Sequence, residues 1–264
     1  MSKYEHLEVE PDGPVARVWL NRPEVRNAFN PALIAELTDC LSSVGQQEGV
    51  RVVVLGGRGK MFSAGGDLAW MRGMVDYSAE ENLADARRLT DMLRATSACP
   101  CPVVCRVQGG AMGGGMGIMA CCDSVICTTE AVFALSEVRV GLSPATITPY
   151  VAAKIGYSHI RDLALSGERF DAQRALSIGL VHQVVPETEL DAAVEAKVSE
   201  LLKAGPEAAA ATKALLRDVA GAISPEDEER GAQLIAGLRV SREGQEGLSA
   251  FVQKRKPDWR MSED

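Results

Sequence analysis

Val103-Val-Cys-Arg-Val-Gln-Gly-Gly-Ala-Met-Gly-Gly-Gly-Met-Gly-Ile-Met-Ala-Cys-Cys122 decides how this chain is read. The β-branched run Val103 to Val107 predicts a strand, Gln108 to Gly117 a small-residue turn, and the stretch from Met116 a helix. A turn that leaves a strand and enters a helix offers backbone N–H groups, with the helix dipole behind them, to a ligand bearing negative charge. The glycines lack the G-x-G-x-x-G spacing of a dinucleotide fold, and no Gly-Lys-Ser/Thr follows as a phosphate loop requires. Glycines that merely allow close packing of helix on strand are the alternative reading.

Outward from that turn, Val15 to Leu20 and Arg51 to Leu55 predict strands, and Asn30-Pro31 opens a helix with Leu33, Ile34, Leu37, Leu41 and Val44 on one face. Ser78 to Ala98 predicts a further helix, and Ser124 to Cys127, Val132 to Leu135 and Val181 to Val185 short strands. Beyond about residue 186 the pattern is helical only: Leu190 to Leu202, Glu207 to Val219, Pro225 to Val240 and Arg242 to Lys254. An α/β core at 1–186 followed by a helical region at 187–264 is the expected organisation.

The 264 residues are 46% hydrophobic and 24% charged, the balance of a globular protein with a sizeable core. Twenty-eight basic against 36 acidic side chains leave a net charge of −8, which argues against non-specific nucleic-acid binding. An anionic ligand must therefore meet a local basic patch. Seven cysteines, most in apolar runs, read as reduced core thiols. A metal cluster is disfavoured, since Pro100 and Pro102 break the first cysteine group and only three histidines exist. No apolar segment resembles a signal peptide or spans a membrane, so a reducing cytoplasm is the expected location and no membrane partner is expected.

A second small-residue turn, Lys60-Met-Phe-Ser-Ala-Gly-Gly-Asp-Leu68, also follows a strand. Its N–H groups are candidates to meet a ligand, with Asp67 as a helix N-cap the alternative role. Two backbone donors converging on one oxygen stabilise an enolate formed from a thioester, and a carboxyl alongside must then move a proton at the adjacent carbon. Glu137, within Val132-Phe-Ala-Leu-Ser-Glu-Val-Arg-Val140, fits that role; an exposed strand-end carboxylate paired with Arg139 is the competing reading.

The chain resembles the crotonase, or enoyl-CoA hydratase/isomerase, superfamily. Six pieces occur in the family's order: Leu20-Asn-Arg-Pro-Glu-Val-Arg-Asn-Ala28, Phe62-Ser-Ala-Gly-Gly-Asp67, the glycine turn at 109–117, Ala134-Leu-Ser-Glu-Val-Arg-Val-Gly-Leu142, Gly179-Leu-Val-His-Gln-Val-Val-Pro-Glu187 and Phe251-Val-Gln-Lys-Arg-Lys-Pro-Asp-Trp259. The resemblance implies a spiral of ββα units with a C-terminal helical trimerisation region, assembled as a homotrimer or a pair of trimers. It implies that Ala64 and Gly114 supply the two oxyanion-hole N–H groups and that Glu137 is the acid/base. Ala64, Gly65, Gly66 and Asp67, running into Leu68, match the turn that holds CoA, and Arg26 and Ala28 match positions bordering its nucleotide, where a guanidinium meets phosphate. Phe251 and Lys254 match a terminal-helix contact to the adenosine end, often made by a neighbouring subunit. The acyl-CoA thioester brings its own CoA, and no other cofactor is implied.

The sequence departs from the family pattern at Gly117, where hydratases commonly carry a first glutamate. A single glutamate suffices for an isomerase, which takes a proton from one carbon and returns it two carbons along. It suffices for a hydratase if another group holds the water, and Ser143, Thr146 and Thr148 in the loop Gly141-Leu-Ser-Pro-Ala-Thr-Ile-Thr-Pro-Tyr150 are candidates, as is a substrate carboxylate. That loop, with glycine at 117, is similar to hydratases of branched, carboxylated enoyl-CoAs of the methylglutaconyl-CoA and isohexenylglutaconyl-CoA type. Hydratase is the expected activity, isomerase the second, and an acyl-CoA binder without catalysis the third. Met71, Met74, Met112, Met116 and Trp70 are candidates to line the acyl pocket.

Overall fold

The computed structural model describes residues 3–219 and 225–255. Positions 256–259 of the last motif, and the end of the expected 187–264 region, lie outside the described residues. Five strands anticipated from β-branched runs form the body of one sheet: β2 (Val15–Leu20), β3 (Val52–Gly57), β4 (Val103–Val107), β6 (Ser124–Thr128) and β9 (Gln183–Val185) run parallel in that order. Every residue of β3 and β6 is buried, as expected of central parallel strands covered on both faces. An unanticipated edge strand, β1 (Leu7–Asp12), pairs antiparallel with β2. Its sequence, Leu-Glu-Val-Glu-Pro-Asp, has few apolar residues because it covers an edge. Glu8 and Glu10 there hold Arg58, and Glu10 accepts a hydrogen bond from the Trp19 indole.

The short strands β5 (Gly110–Met112), β7 (Val132–Ala134) and β8 (Phe170–Asp171) make a second, smaller sheet, so the glycine turn is part strand. Helix α1 (Pro31–Val44) is capped by the Asn30 side chain, which accepts from the Leu33 N–H, and buries the expected apolar face. Short α2 (Leu68–Gly73) leads to α3 (Ala79–Ala98), opened by a Ser78/Glu81 capping box. Helix α4 (Gly114–Cys121) continues the glycine turn, and α5 (Thr148–Ser166), with Pro149 in its first turn, begins inside the stretch read as a loop. Gly156, with φ +78, interrupts α5 and blurs its helical period. Helix α6 (Ala172–Ser177) precedes β9.

After β9 come α7 (Leu190–Leu202), α8 (Pro206–Val219), α9 (Pro225–Val240) and α10 (Arg242–Val252). Of these, α7, α9 and α10 share their core with the mixed region. Leu190, Val194 and Val198 of α7 pack on Val52, Val54, Val104 and Ile126, covering the face of the sheet opposite the main core. Ala232 and Ile235 of α9 and Leu248 of α10 join Ala86, Leu142 and Ala145. All seven cysteines are buried free thiols, and no helix of the described residues is long and apolar enough to cross a membrane.

Helix α10 approaches the 136–140 segment so closely that a Cβ on Gly247 would stand 1.8 Å from the Val140 carbonyl oxygen. Gly247→Ala is therefore expected to unseat α10 and lower stability by about 1–3 kcal/mol; an unchanged thermal midpoint would show that this packing does not hold the helix.

Candidate active site

The 64–67 turn is held by main-chain bonds to the segment that precedes α1. The Ala64 N–H donates to the Arg26 carbonyl at 2.9 Å, the Phe29 N–H to the Gly65 carbonyl at 2.7 Å, and the Asp67 N–H to the Phe29 carbonyl at 2.8 Å. The last two make Phe29 and Gly66 a parallel bridge pair. In such a pair the bonds come from the residues on either side of Gly66, so Gly66 turns its own N–H the other way. That N–H has no partner among the described residues. The expectation that Ala64 supplies the donor is thus corrected: its N–H is occupied, and the free donor in this turn belongs to Gly66.

Asp67 is also placed differently from the CoA-holding role. Its carboxylate accepts from the Ala69 and Trp70 N–H groups, capping α2, and forms an ion pair with Arg22 at 2.9 Å. Burial alone would raise its pKa, but the Ala69 N–H, Arg22 and the Trp70 N–H outweigh it and hold the carboxyl below the ordinary range. Arg22 also donates to the Ala28 carbonyl, tying the two segments together.

Gly114 opens α4, and its N–H is likewise without a partner among the described residues. The two turns are stitched together by the Ser63 N–H to the Gly110 carbonyl at 3.4 Å and the Met112 N–H to the Ser63 carbonyl at 3.1 Å. Gly66 and Gly114 both line one cavity of about 450 Å³, together with Glu137.

Glu137 lies on a 3-10 turn, Ser136–Val140, rather than at a strand end. A Cβ built on Gly113 would stand 3.0 Å from Glu137 Oε1, so the carboxyl lies over the glycine that precedes the free N–H. Its Oε2 is buried without a hydrogen-bond partner. Burial raises the carboxyl pKa to about 7, with only its own backbone N–H acting in the opposite sense. Pairing with Arg139 does not occur, since the Arg139 Nε donates to the Ser166 carbonyl at 3.2 Å.

The other expected site residues divide by position. Trp70, Met71, Met74, Met112 and Phe251 line the cavity, while Met116 is core. Phe251 reaches the cavity of its own chain through α10. Arg26 is exposed beside the turn, Ala28 is buried, Leu68 is 51% exposed, and Lys254 is exposed; none of the four lines the cavity. Of the candidate hydroxyls, Thr148 is engaged by the Pro144 carbonyl at 2.8 Å, whereas Ser143 and Thr146 line the cavity with hydroxyls unengaged by other described residues.

The place of a first glutamate is filled. A Cβ on Gly117 would stand 2.3 Å from Ile147 Cγ2 and 3.2 Å from Leu93 Cδ2. Ile147, in the loop that leads into α5, thus occupies the space a side chain at 117 would need, a contact no local pattern announces. Ile235 and Arg239 of α9, which also line the cavity, were likewise not legible locally. Gly117→Ala is expected to lower stability by about 1–3 kcal/mol through overpacking, and Ile147→Ala in the same chain to restore part of it. Equal thermal midpoints for Gly117→Ala and the parent chain would contradict the contact.

Comparisons with known proteins give the family. The family model for enoyl-CoA hydratase/isomerase matches residues 10–262. A Thermus thermophilus relative carrying a provisional enoyl-CoA hydratase name is 35% identical over 246 residues, 93% of this chain and 97% of that one. A crystal structure of an enoyl-CoA hydratase from Shewanella pealeana is 39% identical, covers 97% of each chain and superposes with a TM-score of 0.80. Pseudomonas aeruginosa AtuE is 38% identical, with 97% of this chain and 99% of that one covered and a TM-score of 0.80. The chain belongs to the enoyl-CoA hydratase/isomerase family of the crotonase superfamily and has its fold.

Proposed function

We propose that this protein is an enoyl-CoA hydratase that adds water to an α,β-unsaturated acyl-CoA thioester, with Glu137 as its acid and base. The observation that carries the reading is the Glu137 carboxyl, its Oε2 buried without a partner, in the same cavity as two backbone N–H groups, those of Gly66 and Gly114, that have no partner among the described residues. The thioester oxygen accepts from both, and each such donor contributes about 3 kcal/mol to an enolate-like transition state. Glu137, ionised, takes a proton from water as the water oxygen bonds to the β-carbon. Electrons move to the thioester oxygen, and the protonated Glu137 then delivers its proton to the α-carbon. Thr146 or Ser143 holds the water in place of the absent carboxylate. Arg26 beside the turn and Phe251 at the cavity mouth are the residues we assign to the CoA, and assembly into trimers or pairs of trimers belongs to the same reading.

A double-bond isomerase is the second reading, favoured by one observation: Gly117 has neither a carboxylate nor room for one. Both readings need Glu137, so the mutant alone does not separate them. Loss of the conjugated enoyl-thioester absorbance with incorporation of solvent ¹⁸O is expected of the hydratase, and Glu137→Gln should reduce it at least about a thousandfold. Conversion of a 3-enoyl-CoA without solvent oxygen in the product would establish the isomerase instead.

The raised pKa sets the sign of two pH effects. Proton abstraction requires ionised Glu137, so kcat/KM should rise with pH and level off above an apparent pKa near 7. The folded chain also holds the Glu137 proton more tightly than the unfolded one, whose glutamate titrates near 4.5. This contribution to stability is therefore full below pH 4.5 and is lost as pH rises to about 7. Glu137→Gln should accordingly unfold at a higher temperature than the parent at pH 8, and a lower midpoint would count against the desolvated carboxyl.

A further inference from the structure

Glycines at the start of α4 are seats for side chains of other segments. A Cβ on Gly113 would stand 3.0 Å from Glu137 Oε1, and one on Gly114 would stand 3.0 Å from Phe29 Cδ2 and 3.2 Å from Phe29 Cε2. A Cβ on Gly115 would stand 2.8 Å from Ser63 Cβ, and one on Gly117 2.3 Å from Ile147 Cγ2. Neighbours this close have little freedom to shift, because a packed interior holds few voids to move into. The first turn of α4 is thus wedged from several sides.

Phe29 also governs the other turn. Its N–H donates to the Gly65 carbonyl at 2.7 Å and its carbonyl accepts from the Asp67 N–H at 2.8 Å, the two bonds that leave the Gly66 N–H facing the other way. Its side chain is 1% exposed, belongs to the main core and lines the cavity. The main chain of Phe29 therefore orients one donor, and its ring bears on the residue that carries the other. Ser63 links the same two turns through main-chain bonds. The ring is a separate support of their spacing, and a side-chain substitution removes it without deleting a hydrogen bond.

We propose that Phe29 is a positioning residue, a spacer whose ring holds the Gly114 N–H at the separation from the Gly66 N–H that lets both reach one oxygen. Donors act on developing charge through fixed geometry, and a displacement of about 0.5 Å is enough to weaken them. Phe29 acts through the two donors and moves no proton. The inference rests on reading Gly66 and Gly114 as donors to a thioester oxygen, and holds equally for hydration and isomerisation.

The test is the infrared stretch of a ¹³C-labelled thioester carbonyl in butyryl-CoA bound to the full chain. Two hydrogen bonds polarise the carbonyl, so its frequency in the parent chain is expected to fall below that of butyryl-CoA in water. Phe29→Ala should return much of that shift. In turnover of an enoyl-CoA it should lower kcat about tenfold to a hundredfold, with a smaller change in KM, since misaligned donors lose more in the transition state than in the ground state. Phe29→Leu, which keeps an apolar side chain against Gly114, should fall between the two and serves if the alanine variant does not fold. A bound carbonyl frequency equal to the parent's in the variants, or a loss confined to KM, would overturn the spacer and leave the two donors as read. Butyryl-CoA that does not bind the parent chain, or binds it with an unshifted carbonyl, would overturn the donors as well.

Discussion

One main-chain bonding pattern governs the site. The Arg26 to Phe29 segment and the Ala64 to Asp67 turn exchange hydrogen bonds that use the Ala64 N–H, the Gly65 carbonyl and the Asp67 N–H, and leave the Gly66 N–H over. The Arg22–Asp67 ion pair and the Arg22 bond to Ala28 lock the two segments in that register. A donor left over in this way is fixed before substrate arrives, so no reorganisation is needed when charge develops on an oxygen. The second donor, Gly114, is left over for a different reason, since the first residues of any helix have no partner within it. Ser63 joins the two turns and so sets the distance between the donors.

The remainder of the cavity is built by packing on that frame. Helices α9 and α10 pack against α3 and the 136–140 turn, and burial raises the pKa of Glu137 on that turn. Ile235 and Arg239 of α9 thereby line the cavity. Ile147 seals the flank at Gly117 by hydrophobic contact. Burial thus supplies the single remaining carboxyl with a pKa suited to proton transfer near neutral pH.

Much of this was legible in the sequence because it rests on local signals. The β-branched runs, the Asn30-Pro31 helix start and the two small-residue turns each carry their meaning within a few residues, and the motif that holds Glu137 lies on the cavity wall. The sequence of a turn does not reveal which N–H a neighbouring segment will consume, so only the bonds of the folded chain separate Ala64 from Gly66. Strand β1 and helix α5 escaped for physical reasons: an edge strand needs few apolar residues, and Gly156, with positive φ and extended ψ, breaks the helical period. Ile147 and Arg239 reach the cavity through contacts distant in sequence, with Arg239 bonded to Asp85, 154 residues away. Asp67 was ambiguous between cap and ligand contact, and only its three-dimensional partners separate the two.

The central claim is that a thioester oxygen is held between the Gly66 and Gly114 N–H groups, facing Glu137. A crystal structure of the protein with a saturated acyl-CoA measures this directly. The account predicts the thioester oxygen about 3 Å from both nitrogens, with the Glu137 carboxyl over the carbons next to the carbonyl and the Ala64 N–H still bonded to Arg26. A thioester oxygen bound to the Ala64 N–H, or lying away from Gly66 and Gly114, would contradict it.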